Sequence, residues 1–168
     1  VWAWYLTEKT GKQAIPYVLG EINEETEFVL SKWEVETPAL LESVEAGAEV
    51  VIVDTNNPQE LFENINDTNV LEIIDHHKLT GGIETGAPAT VTMRPLASTA
   101  SVIYDLMGDT VLPNQIAGVL LSCILSDTLE FRSPTTTPHD KDIAEKLAAQ
   151  LGVSITEYAA EMSAAKSD

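Results

Sequence analysis

Two short apolar runs, each ending in an aspartate, constrain this chain more than any other feature. Glu49-Val50-Val51-Ile52-Val53 runs straight into Asp54, and Asn69-Val70-Leu71-Glu72-Ile73-Ile74 runs into Asp75-His76-His77. Runs of five or six residues, rich in Val and Ile and lacking helical spacing, read as buried strands. A further strand is expected over Ile15–Leu19, with Pro16 suited to an edge, and another over Ala89–Arg94. Longer helical patterns alternate with them. Val1–Thr10 stops at Gly11; Asn23 caps a helix to about Lys32; Thr37 and Pro38 open one that Gly47 closes. A short helix is expected from Gln59 to about Asn64, and Ser98 or Thr99 caps one that Gly108 ends. A buried helix runs from Pro113 into Ser126-Asp127, and helices over about Pro138–Gln150 and Ser154–Ala165 finish the chain. Strands separated by helices imply an α/β fold: a mainly parallel sheet with helices on both faces, filling a single domain. Such sheets bind ligands at the carboxyl ends of their strands, where Asp54 and Asp75-His76-His77 fall.

Asp75, His76 and His77 are three consecutive metal-ligand or acid–base groups held by a strand end. Mixed oxygen and imidazole donors suit manganese, iron, cobalt or zinc better than calcium. Asp127 closes an apolar helix, where its charge meets the negative pole of the helix dipole and a nearby cation would offset the repulsion. The hydroxyls of Ser98-Thr99-Ala100-Ser101 offer an anion site or a plain helix cap, and capping is the favoured reading of Ser133–Pro138. His139 reads as a surface helix residue, and Trp33 and Cys123 as packing residues. The sequence contains no glycine-rich nucleotide loop, no Gly-x-Ser-x-Gly elbow and no Cys-His pair.

Nine basic against twenty-seven acidic residues give a formal net charge of -18. Such a surface repels a polyanion, which argues against a nucleic-acid partner. The acidic residues are scattered over helical segments, as in a solubilising surface. A single cysteine excludes an internal disulfide framework and a cysteine-based zinc site. With no bilayer-length apolar stretch and no leader, the expected setting is the cytoplasm, away from membranes.

Together the motifs are similar to those of the DHH phosphoesterase superfamily. They are Val51-Ile52-Val53-Asp54, Val70 through Asp75-His76-His77-Lys78, Ile116-Ala117-Gly118, and Leu125-Ser126-Asp127-Thr128 through Ser133-Pro134-Thr135. The last segment most resembles the manganese-dependent (family II) inorganic pyrophosphatases, and the similarity runs from about Tyr5-Leu6 to Glu157-Tyr158. The resemblance implies a two-metal hydrolase acting on pyrophosphate, with manganese or cobalt, or alternatively magnesium, as cofactor. Asp54 would bridge the metals, His76 and Asp127 would complete the second metal site, His77 would approach substrate, and Asp75 would orient the histidines. It also implies an earlier His-x-x-x-Asp-x-Asp loop and a basic C-terminal domain. This sequence opens after the loop and ends near Lys166-Ser167-Asp168, so residues 1–168 alone are expected to hydrolyse pyrophosphate poorly. Thr55 stands where the family commonly has a histidine.

Two alternatives accompany this reading. One is a DHH phosphodiesterase for short oligonucleotides or cyclic dinucleotides; the other is a non-catalytic metal-binding or dimerisation module. An open sheet edge favours pairing with a second copy, and the resemblance implies a homodimer.

Overall fold

The computed structural model describes residues 1–167; Asp168, where the sequence reading ends the domain, lies outside the described residues. Helix α1 (Trp2–Thr10) ends at Gly11, whose φ of 75° turns the chain and lets its N–H reach Thr7 O at 3.1 Å. Strand β1 is only Tyr17–Val18, shorter than the five apolar residues promised, because the ladder needs donors and Pro16 has none. Asn23 accepts from Thr26 N and opens α2 (Glu24–Lys32).

The helix expected from Thr37 to Gly47 does not form. Ala39–Leu40 is instead strand β2, parallel to β1, with Leu41 N bonded to Val18 O at 2.8 Å. A ten-residue helix is marginal on its own, whereas the backbone groups of β1 need partners that only a second strand supplies.

The two aspartate-ended runs lie side by side as β3 (Glu49–Val53) and β4 (Asn69–Asp75), parallel to each other, with β5 (Thr90–Met93) parallel on the far side of β4. The register shifts between Val50 and Val51, where Val50 pairs with Val70 and Val51 with Glu72. That leaves Leu71 as an extra residue, and Val70 and Ile73 reach the same small apolar cluster with Ile52 and Ile65. Val51 and Ile74 reach the main core instead, as alternation across a sheet requires.

Two 3₁₀ turns, Pro58–Glu60 and Ile65–Asp67, cover the small cluster where one short helix was expected. The main core is built by α1, α2, α3 (Thr99–Met107), α4 (Asn114–Thr128), α5 (Pro138–Leu151) and α6 (Ile155–Ser167). The α-helices pack on the face of the β3–β4–β5 sheet that carries Val51 and Ile74, and the 3₁₀ turns, not the helices expected there, cover the other; mixed helices and parallel strands make the α/β fold.

Gly118 of α4 lies under Trp33; a Cβ there would sit 2.1 Å from the indole. Trp33 Nε1 donates to Tyr158 OH at 2.9 Å, and that hydroxyl meets Ser122 Oγ at 2.5 Å, joining the end of α2 to α4 and α6. Trp33 is thus a packing residue as expected, and Cys123, read as core or surface packing, lies at the surface. Beyond α4 the residues Leu129, Glu130 and Phe131 all adopt positive φ (51°, 54° and 67°), reversing the chain directly after Asp127. Among the described residues no helix is long and apolar enough to cross a membrane.

Candidate metal centre

Asp54 is the first residue past β3 and has φ of 71°, an unusual value for a side chain with a Cβ. Its N–H still pairs with Ile74 O at 2.8 Å, so the kink occurs while the sheet holds the backbone. The kinked carboxylate is exposed, and its Oδ1 accepts from Thr99 Oγ1 at 2.8 Å.

Asp75 is fully buried at the end of β4. Burial pushes its carboxyl up, but hydrogen bonds from Asn56 Nδ2 (2.7 Å), the His77 ring (2.7 Å) and the N–H groups of His76 and His77 outweigh it and hold the group below its usual value. An ionised Asp75 can only accept, so His77 Nδ1 carries the proton and its Nε2 keeps a lone pair.

The same logic fixes His76. Its Nδ1 lies 2.9 Å from Leu96 O, a carbonyl that can only accept, so the neutral ring carries its proton on Nδ1. Nε2 then turns a lone pair toward Asp54 Oδ1 at 3.5 Å. Two acceptors facing each other need a cation or a proton between them. The hydrogen bond with Asp54 raises the His76 pKa, against the opposing effect of burial. The ligand atoms of Asp54, His76 and His77 all lie within 4.8 Å of one another, and the two rings are 4.2 Å apart.

Asp127 leaves the last turn of α4 and accepts from Ser98 Oγ at 2.6 Å. Burial raises its pKa; Ser98 opposes the shift, the charge of Asp54 adds to it, and the two histidines oppose it. Asp127 therefore senses all three groups of the cluster, although the tight triad is completed by His77. The donor set of carboxylate and neutral imidazole suits a divalent transition metal, and each Nδ1 is already bonded to an acceptor, as metal-binding histidines require.

Residues 3–124 match the DHH family, N-terminal domain. The chain belongs to the DHH family. It is 43% identical over 163 residues to a manganese-dependent inorganic pyrophosphatase of Methanocaldococcus jannaschii, covering 90% of this chain and 52% of that protein. An Oceanobacillus iheyensis protein named as a probable manganese-dependent inorganic pyrophosphatase is 39% identical over 165 residues, covering 97% of this chain and 53% of that protein. A crystal structure described as a family II inorganic pyrophosphatase from Methanococcus jannaschii superposes with a TM-score of 0.86 at 38% identity, over 97% of this chain and 56% of that one. The chain spans about half the length of the curated relatives it matches.

Beyond the DHH triplet, sequence reasoning missed Asn56. This buried amide donates to Asp75 Oδ2 and to Lys78 O (2.9 Å), and its Oδ1 accepts from Thr80 N at 2.9 Å. Its signal was its place, two residues after a strand-end aspartate. Thr55 turns away from the centre, donating to Glu60 Oε2 at 3.1 Å. Lys78 and His77 line a hollow of about 350 Å³ with Thr55, Asn56, Glu60 and Thr80. His139 is on the surface, bonded through Nε2 to Asp105 at 2.7 Å, and Thr137 caps α5 in a reciprocal box with Asp140.

Proposed function

We propose that this chain is the metal-holding part of a manganese-dependent hydrolase that splits inorganic pyrophosphate into two phosphates. The observation that carries the reading is the His76 lone pair aimed at the Asp54 carboxylate, an arrangement that asks for a cation. The names of the DHH relatives and of the solved structure supply the metal and the substrate. Asp54, His76 and Asp127 are the residues that would hold the metal, Asp54 serving both ions if two are bound; His77 would approach the substrate through Nε2, and Asp75 orients the histidine pair. Manganese or cobalt suits the donors best, with magnesium as a weaker occupant.

When bound, divalent ions of this kind acidify water and screen phosphate charge. In the hydrolysis, the oxygen of water bonds to one phosphorus, the bridging P–O bond breaks, and the protons of water pass to the two phosphates or to solvent. Asp54 and Asp127 hold the negative end of the site, while His77 and Lys78 face the substrate's oxygens. A nucleic-acid substrate is disfavoured by the net charge of -18. A cytoplasmic homodimer, joined through an open sheet edge such as that of β5, completes the reading.

The test compares phosphate release from pyrophosphate with cleavage of a dinucleotide, using the intact protein with manganese. Pyrophosphate turnover lost in Asp54→Asn supports the proposal. Preference for the dinucleotide, or turnover unaffected by Asp54→Asn, refutes it.

A further inference from the structure

We infer that Leu96–Thr99 is a single positioning element that aims three separate ligands of the proposed metal centre. The inference rests on the metal reading above and adds residues to it. Three groups within four consecutive residues each hold a different ligand. Leu96 O takes the Nδ1 proton of His76 at 2.9 Å, Ser98 Oγ donates to Asp127 Oδ2 at 2.6 Å, and Thr99 Oγ1 donates to Asp54 Oδ1 at 2.8 Å. The three ligands come from the ends of β4, α4 and β3, which the sequence separates from this segment by 20, 29 and 45 positions.

Helix capping does not account for the arrangement. As the α3 cap, Ser98 only needs to accept from Ala100 N, which it does at 3.2 Å. Its one proton is left for Asp127. Thr99 caps nothing: it is the first residue of α3, is buried, and spends its one proton on Asp54. With both hydroxyls shielded from solvent, no water competes for these bonds. Thr99 takes one lone pair of Asp54 Oδ1 and leaves that oxygen still facing His76 Nε2, and Ser98 engages Oδ2 of Asp127 and leaves its Oδ1 for a cation.

The segment is itself anchored from behind. Asp140, fully buried in the first turn of α5, accepts from Ala97 N at 3.0 Å and Ser101 Oγ at 2.5 Å, gripping the residues on either side of Ser98 and Thr99. Bonds from Asn56 and His77 aim the DHH aspartate, whereas this strap aims the other ligands.

Partners that orient metal ligands typically contribute about ten- to a hundredfold in metal affinity. The experiment titrates manganese into the metal-free intact protein and counts free ions by electron paramagnetic resonance, alongside urea unfolding of each metal-free variant. Thr99→Val keeps the shape and removes the hydroxyl; it should weaken manganese binding about ten- to a hundredfold. Thr99→Ser should restore affinity nearly to that of the unaltered protein, which a purely packing role would not produce. Should Thr99→Val fail to fold, Thr99→Ala takes its place in the comparison with Thr99→Ser. If the unaltered protein binds and Asp54→Asn does not, yet Thr99→Val binds normally, the positioning role is refuted and the metal reading stands. Equal losses in the Val and Ser variants refute it too. No manganese binding by the unaltered protein refutes both.

Discussion

Replacing Asn56 with alanine removes a buried amide that three other residues depend on. The largest loss falls on Asp75, a fully buried carboxylate whose Oδ2 accepts from Asn56 at 2.7 Å. A hydrogen bond to a charged group contributes about 1.5–3 kcal/mol, and because Asp75 is itself fully buried, solvent entering from the hollow beside Asn56 recovers little of it. Lys78 O and Thr80 N lose partners as well, but those residues are exposed and solvent replaces most of the interaction, at about 0.5 kcal/mol each. The expected destabilisation is therefore about 3 kcal/mol, well within the margin of an ordinary domain. It should also depend on pH. Asp75 is held below its usual pKa in the folded state, so its contribution is complete above the unfolded value near 3.9 and is lost as pH falls through the lower, folded value. Without Asn56 the folded value rises, so the gap between the two proteins should be full at neutral pH and narrow in acid. Urea unfolding of the metal-free proteins from neutral pH down to about 3 measures it. A gap below about 1 kcal/mol at neutral pH, or one that does not change in acid, would refute the idea that Asn56 acts by holding the Asp75 charge.

Manganese binding should compete with the proton that the Asp54 carboxylate helps His76 to hold. That pKa is raised above 6.5, so affinity should already fall below neutrality, by about tenfold per pH unit once His76 is protonated; a flat calorimetric profile across this range would count against it. The pairing contributes stability to the metal-free fold below about pH 6.5 and loses it as pH rises through the raised value, opposite to the metal's preference. Gly118→Ala sets a methyl group 2.1 Å from the Trp33 indole and should cost about 3 kcal/mol, from overpacking and the lost bond to Tyr158. Thermal unfolding with tryptophan fluorescence reports it, and an unchanged midpoint would show that the indole has room to move.

Local chemistry was legible in the sequence. The β-branched runs gave the strands of Asp54 and Asp75, and short-range rules found Asn23, the Ser98-Thr99 pair and the capping segment Ser133–Pro138 at their helix starts. The DHH triplet and its placement at a strand end were visible for the same reason. What could not be read depends on distant partners. Ala39–Leu40 became a strand because Tyr17–Val18 lay alongside it. Asn56 and Thr99 gained their roles from carboxylates 19 and 45 residues away; the place of Asn56 after Asp54 marks it as near the site but does not name its partner, and nothing beside Thr99 announces its bond. Ser98 was recognised for the bond it accepts from the helix, not for the one it donates.

The backbone at Asp54 has an evolutionary consequence. At φ of 71° an aspartate sits where glycine is at ease, at a cost of about 1 kcal/mol, and its charge adds to the burden on Asp127. Asp54→Gly would relieve both but leave the buried hydroxyl of Thr99 without its acceptor, so for stability alone the exchange is close to even. Under selection for heat resistance alone, position 54 should therefore drift freely, glycine included, and the lineage would lose its grip on cations at no cost in robustness. Persistence of aspartate there through such a passage would mean that function was still being selected, making this one codon a recorder of whether the activity matters to its host.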